Sequence, residues 1–545
     1  MVVAWVIPIV IVGFLVLSPI IRLQVTAFQD GASAYGRLFS SPDLGRVLWN
    51  SFFLAVGSVV FAVVVGTGLA WYAYQLRPKL RWLSLVPILP LVLPPIASII
   101  GWVFLLSPTV GYINTLLRFL PWWSGDRQGP LNVYSGWSIV LLTGINLTAF
   151  VYLYVITALR NMNAELYEAA DVSGASGFMR FRAVVLPLLR PSIAYATVLV
   201  LLLGFGQFTA PLLLGRQQGF DVITTQMYKL IQQFPIDIGQ AAAFGSPLIV
   251  AGALLLIAQR FTIGDSSRFV SQTGKQVRSM GGSSFAPVPI VVFGVIALLL
   301  PLLALIHVSL LPFWSGQFSL QNVTTANYAL VFHSPQALNG ILDSLGASAI
   351  AIAIVLPIAF TASMLLRRGS MGRRRKILLD VLVAVPLVTP AVVFGAGILF
   401  SYNSPPLQLY GTLAVIVIAY VTLMIPHATR MISSGVLTLG EQYFEAARVS
   451  GAGTLRTTFR ISLPLLRPSL GGAVAIIFVL LTQEFAASLF VRSAGTNLMG
   501  TVIYDFWDAG TFPQVAALAI VMCVVTAVGV GLAFLLGGSR AFDQL

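Results

Sequence analysis

Two short segments, Glu168-Ala-Ala-Asp-Val-Ser-Gly174 and Glu445-Ala-Ala-Arg-Val-Ser-Gly451, are each followed at the same distance by Leu-Pro-Leu-Leu-Arg-Pro-Ser. They lie 277 residues apart, and fourteen of the twenty-six positions from 168 to 193 are identical to their counterparts without a gap. The chemistry such residues allow is recognition rather than bond making. Glu165, Glu168 and Asp171 alternate with Leu166, Ala169, Ala170 and Val172, which at 3.6 residues per turn makes a small amphipathic helix. Paired alanines let a partner backbone approach closely, and the glycine permits the tight turn that ends the helix. An amphipathic helix without a partner could carry one such segment. Two copies at one spacing point instead to docking into a groove of another protein.

The elements that must carry these segments are membrane helices. The chain has 545 residues, of which 58% are hydrophobic and 9% charged, whereas soluble domains carry about 25% charged residues. Crossing a hydrocarbon core takes about 20 apolar residues, and twelve stretches qualify: 4–23, 50–75, 82–107, 137–159, 191–215, 240–259, 287–310, 342–366, 378–402, 410–432, 468–492 and 514–537. The fold class is therefore an all-α polytopic membrane protein with about 12 transmembrane helices. Its parts are a six-helix domain 1–259, a cytoplasmic linker 260–286 rich in Gly, Ser and basic residues, and a second six-helix domain 287–545. Six spans per half leave both copies the same way up, related by a pseudo-two-fold axis along the membrane normal. Pro90 and Pro94 correspond to Pro386 and Pro390 at an offset of 296, so the first half holds about 19 extra residues, placed near 108–137.

With both termini in the cytoplasm, 23 of the 31 Lys and Arg fall on the inner side, the bias that fixes orientation. It accounts for the net charge of +14 and removes the need for a nucleic-acid partner, leaving lipid headgroups or a cytoplasmic protein. The first apolar stretch reads as a retained helix rather than a cleaved signal peptide. Cys523 is the only cysteine and His307, His333 and His427 are scattered, so no disulfide framework, metal site or catalytic cluster is assigned. No G-x-x-x-x-G-K-[ST] phosphate loop occurs, so ATP bound in that manner must sit on another chain.

Within the spans, the 277 offset pairs Gln207 with Glu484, each midway along the fifth span of its half. A carboxylate near mid-bilayer costs roughly 2.5–3.5 kcal/mol on insertion scales and faces a cavity or a partner. Glu484 and Gln207 are thus candidates to line a translocation path, with packing between helices as the other reading of the glutamate. Asn146 and Gln483 are further candidates whose commoner role is interhelical contact. A proton-coupled secondary carrier also fits two six-span halves, but coupling there takes several intramembrane ionisable groups, and Glu484 is nearly alone.

The pattern Glu-Ala-Ala, three residues, Gly, nine residues, Ile, one residue, Leu-Pro resembles the EAA loop of permease subunits in type I ABC importers (the MetI-like fold). The second copy matches at Glu445, Ala446, Ala447, Gly451, Ile461, Leu463 and Pro464, and the first at Glu168, Ala169, Ala170, Gly174, Leu186 and Pro187, with Val184 in place of Ile. The resemblance implies that each loop is a coupling helix seated in a cleft of an ATP-hydrolysing subunit. It implies two such subunits carrying ATP and Mg, a periplasmic or lipid-anchored substrate-binding protein, and a bacterial inner membrane. Gln207-Phe-Thr-Ala-Pro-Leu-Leu-Leu-Gly215, Gln483-Glu-Phe-Ala-Ala-Ser-Leu-Phe-Val-Arg492 and Ile503-Tyr-Asp-Phe-Trp-Asp508 look most like fused permeases for ferric iron, with thiamine, phosphonate and sugar-phosphate relatives. The implied role is a transport subunit, not an enzyme.

Overall fold

A computed structural model describes residues 3–29, 31–121, 123, 128–162, 174, 177–263, 283–319, 321–368, 371–403, 405, 407–493 and 495–537. Among them, nine helices are long and apolar enough to cross a membrane, and up to twelve spans result if each of three bent helix pairs counts as one. In the first half these are α1 (Val3–Phe28), α2 (Leu44–Tyr74), a 3-10 stretch Pro78–Val92 leading into α3 (Pro95–Leu106), α4 (Gly136–Arg160), α5 (Leu186–Phe205) continued by α6 (Thr209–Leu214), the short α7 (Ile223–Gln232), and α8 (Ile238–Ile263). The second half repeats the order. It has α9 (Pro287–Ser309), α10 (Pro335–Arg367), α11 (Arg373–Val388) leading into α12 (Ala391–Tyr402), α13 (Leu413–Thr438), α14 (Glu441–Val449), α15 (Arg467–Thr482) continued by α16 (Ala486–Val491), α17 (Met499–Asp508) and α18 (Phe512–Gly537).

The third and ninth spans, read as continuous at 82–107 and 378–402, are instead bent by 92° and 105°. Both bends fall at a proline with extended backbone, Pro94 (ψ 135°) and Pro390 (ψ 143°), after a residue that is itself extended. A proline ring excludes its predecessor from the helical region and supplies no N–H to continue the ladder. Three wide π turns obey the same chemistry. Phe181–Val185, Val295–Leu299 and Thr458–Ser462 each end two residues before a proline, at Pro187, Pro301 and Pro464, where the missing donor and the ring's push on the preceding turn favour a widened one.

The chain divides into two compact units: 1–36 with 235–243 and 328–545, and 37–234 with 244–327. These units do not follow the sequence halves 1–259 and 287–545. In the first, α1 packs on α10, α11, α12 and α13 of the opposite half; in the second, α9 packs on α3 and on the 3-10 stretch before it. Glycine makes both exchanges possible. A Cβ at Gly397 in α12 would overlap the Pro19 carbonyl of α1, and one at Gly101 in α3 would lie 2.5 Å from the Pro301 carbonyl oxygen of α9. Arg22 in α1 also donates from Nε to the Phe400 carbonyl at 3.4 Å. Helix starts use local caps: Ser135 Oγ accepts from Ser138 N at 3.2 Å before α4, the pattern that satisfies an orphan first-turn donor.

Candidate functional site

Among the described residues, the second of the two repeated Glu-Ala-Ala segments, expected to dock a partner, is laid out in full. Gly440, extended at φ −64° and ψ 145°, precedes α14, and all but Phe444 and Ala447 of this nine-residue helix is exposed. Glu445 and Ala446 face outward while Ala447 is buried. Gly451 then takes the left-handed conformation at φ +70°. Its N–H reaches the Arg448 carbonyl at 3.0 Å, and the Ala452 N–H reaches back to Ala447 at 2.9 Å. These two bonds close the helix end in the manner that needs a residue at positive φ. Gly174 has the same backbone at φ +72° and is also exposed. Glu168, Ala169 and Ala170 lie outside the described residues.

Two features anchor α14. Arg368, just past α10, donates to the carbonyls of Leu439 and, at 3.4 Å, Val436, and its guanidinium lies 4.4 Å from the centre of the Phe444 ring. The stretch 454–465 then returns beside α14, and it meets α15 at a 70° bend. Between them lies an open groove of about 480 Å³, lined by Tyr443, Ala446, Ala447, Arg456, Arg460 and Ile461 among others. Leu463 and Pro464 form the turn beyond it, as Leu186 and Pro187 do in the first half at the start of α5. The sequence signals the alanines, the glycine and the Leu-Pro pair. It gives no sign of Arg368, whose partner carbonyl is 71 residues away.

The fifth span is interrupted in both halves at the paired residues. Gly206–Phe208 separates α5 from α6, and Gln483–Phe485 separates α15 from α16. Glu484 is half-buried there, and its carboxylate caps the next helix. Oε1 accepts from Ala487 N at 2.8 Å and Oε2 from Ser488 N at 2.9 Å, while the Ser488 hydroxyl also donates to Oε2. That hydroxyl in turn meets Tyr420 Oη of α13 at 3.1 Å. The carboxylate that stands out in sequence thus makes the contacts of a helix cap. Gln207, half-buried at the matching break, uses its carbonyl to accept from Thr224 at 2.5 Å. Its side-chain amide has no hydrogen bond to a described residue. Asn146 is half-buried on α4, which packs on α5 and α6.

Each break is held by the short helix that follows. Phe208 stacks edge-on against Tyr228 of α7, with ring centres 5.7 Å apart, and Phe485 lies 5.9 Å from Tyr504 of α17. The two short helices start alike, with Thr225 and Thr501 hydroxyls accepting the N–H three residues earlier and Ser51 and Ser344 accepting the N–H of Ile223 and Met499. Asp221 pairs with Lys229 at 2.6 Å on α7, and Arg492 grips Asp505 of α17 through two bonds of 2.8 Å. The two threonines sit 276 residues apart in the sequence, one short of the repeat offset, so a gap-free comparison pairs Thr225 with Val502 and passes them by.

The binding-protein-dependent transport system inner membrane component family matches residues 62–262 and again 359–538. The ferric transport system permease protein FbpB of Actinobacillus pleuropneumoniae is 25% identical over 533 residues, covering 95% of this chain and 75% of that protein. The inner membrane ABC transporter permease protein YcjO of Escherichia coli K12 is 29% identical over 239 residues, covering 42% of this chain and 78% of that one. A crystal structure of a bacterial alginate ABC transporter with an alginate pentasaccharide-bound periplasmic protein aligns over 47% of this chain and 93% of the matched chain, at 17% identity and a TM-score of 0.39. With the family matched twice and nine to twelve spans long and apolar enough to cross a membrane among the described residues, the chain belongs to the binding-protein-dependent inner-membrane permeases, as a fused two-half ABC importer permease subunit.

Proposed function

We propose that this permease imports ferric iron across the bacterial inner membrane, with both termini in the cytoplasm and ATP and Mg carried by two separate ATP-binding subunits. The observation that carries the cargo is the likeness to the ferric transport permease along 95% of the chain. A substrate-binding protein, periplasmic or lipid-anchored, delivers the ion to the outer face. Closure of the ATP-binding dimer pulls on the docking segments at 161–190 and 438–467, and the π turns within them pass that movement to the fifth and eleventh spans. No group of three or more His, Cys, Asp or Glu able to hold a metal ion occurs among the described residues. On this reading the ion is cargo in transit, held by its binding protein on one side and released on the other.

Within the path, Gln207 and Asn146 present amides, and Glu484 a carboxylate already engaged by its own helix. The path reading gives Gln207 the larger part. A sodium- or proton-driven carrier gains nothing from two docking segments.

The test is ATP hydrolysis by the purified complex in nanodiscs with its binding protein, offered ferric iron, thiamine, phosphonates or sugar phosphates. Stimulation by the iron-loaded binding protein alone supports the proposal. Stimulation by an organic anion keeps the importer and discards iron.

A further inference from the structure

The residues that line the groove beside α14 differ in charge from those at the same positions of the first copy's sequence. At the 277 offset, Arg448, Arg456 and Arg460 correspond in sequence to Asp171, Met179 and Ala183, and Tyr443 to Leu166. Arg467 and Arg190, by contrast, are shared, so the framework keeps the arginine it needs and does not need these three. Charge bias alone does not explain them either. The first copy carries two arginines of its own in the same stretch, Arg180 and Arg182, at the positions of Thr457 and Phe459, and neither of those residues lines the groove. Between the docking helix and the Leu-Pro pair each copy thus holds two arginines, and those of the second copy, Arg456 and Arg460, line the groove.

Arg456 and Arg460 are exposed and line the groove opposite Tyr443 and the two alanines of the docking helix. Arg448 is exposed on that helix itself. Guanidinium groups that line one groove with an aromatic and small side chains suit a carboxylate, which they bind through two parallel N–H bonds. Resting on the reading that ATP-binding subunits dock here, we infer that this groove receives an acidic segment of one ATP-binding subunit, and that the two subunits are held by chemically different sites. The three arginines have no cationic counterpart at the same positions of the first copy, so the ionic contact they make, which salt weakens, is specific to the second site.

The experiment uses the full-length permease purified with its ATP-binding subunits. R456E/R460E is compared with R373E/R374E, which reverses the same charge at exposed arginines at the start of α11, outside both docking segments. Release of ATP-binding subunit, followed by size-exclusion chromatography, is expected to quicken about tenfold in the groove variant, a typical effect of removing a close interfacial charge pair, and to change less than twofold in the other. Wild-type protein that retains no ATP-binding subunit overturns the importer reading itself. Retention in wild type and equal retention in both variants overturns only the charged groove. Loss of activity confined to vesicles with anionic phospholipid, with retention in detergent intact, assigns the arginines to lipid and also overturns it. If charge reversal prevents folding, R456Q/R460Q under a salt titration decides: the inference requires release from the variant to lose the salt dependence seen in wild type.

Discussion

Gly451 sits at φ +70° with nothing within 4 Å of where a Cβ would project, so a substitution there meets backbone strain and no steric wall. Left-handed backbone costs a side-chain-bearing residue roughly 1–2 kcal/mol, and asparagine tolerates it best. Gly451→Asn is therefore expected to keep ATP hydrolysis coupled to uptake, whereas Gly451→Val uncouples it; Gly174 follows the same rule. The ratio of solute transported to ATP hydrolysed, measured in proteoliposomes, checks this, and equal ratios in the two variants would contradict it. Glu484 supports a prediction of another kind. An amide cannot accept from both Ala487 and Ser488 as a carboxylate does, so Glu484→Gln should cost about 1–2 kcal/mol of stability and lower the melting temperature while leaving the concentration of half-maximal uptake alone. Gln207→Ala should do the reverse. The position of Glu484 was legible in the repeat. Its partners were not, because they are the next turn's own N–H groups and a tyrosine sixty-four positions back, neither of which leaves a trace in residue spacing.

Hydropathy locates spans because it sums over about twenty residues, and all twelve apolar runs carry helix. The same averaging hides direction. Pro94 and Pro390 are apolar enough to pass inside a run, yet they turn the chain by 92° and 105°. Their pairing at a constant offset marked them as equivalent without saying that each ends one helix and starts another. Close approach is likewise invisible to composition. Gly397 and Gly101 each meet a proline carbonyl from the exchanged helix, so Gly397→Val should force α1 away from α12 and cost about 1–3 kcal/mol, the usual effect of overpacking. Because the contact is to backbone oxygen, Pro19→Ala should not rescue it. Thermal unfolding of the single and double variants in detergent tests the point; recovery in the double variant would assign the clash to the proline ring instead.

On the scale of the whole molecule, each unit is completed by the first helix of the other sequence half. Nothing in the repeat shows this, since α1 and α9 are apolar in either setting and identity between copies describes ancestry rather than contact. Residues 1–264 expressed without the remainder should consequently fail to accumulate, for they lack α9, while co-expression with 283–545 restores a protease-resistant complex. Accumulation of the first fragment alone would show that α9 is dispensable to it. The exchange also sets a timetable for synthesis. Helix α1 leaves the ribosome first, but Phe400, which Arg22 contacts, is made some 370 residues later, roughly 20–70 s at ordinary translation rates. For most of that interval, until α10 is made, α1 stands in lipid without the neighbours it packs on, and Arg22 keeps its guanidinium wet by reaching to the membrane surface. A cell making this permease therefore has to guard an orphan helix for most of a minute, and insertion factors that shelter single helices become part of its assembly.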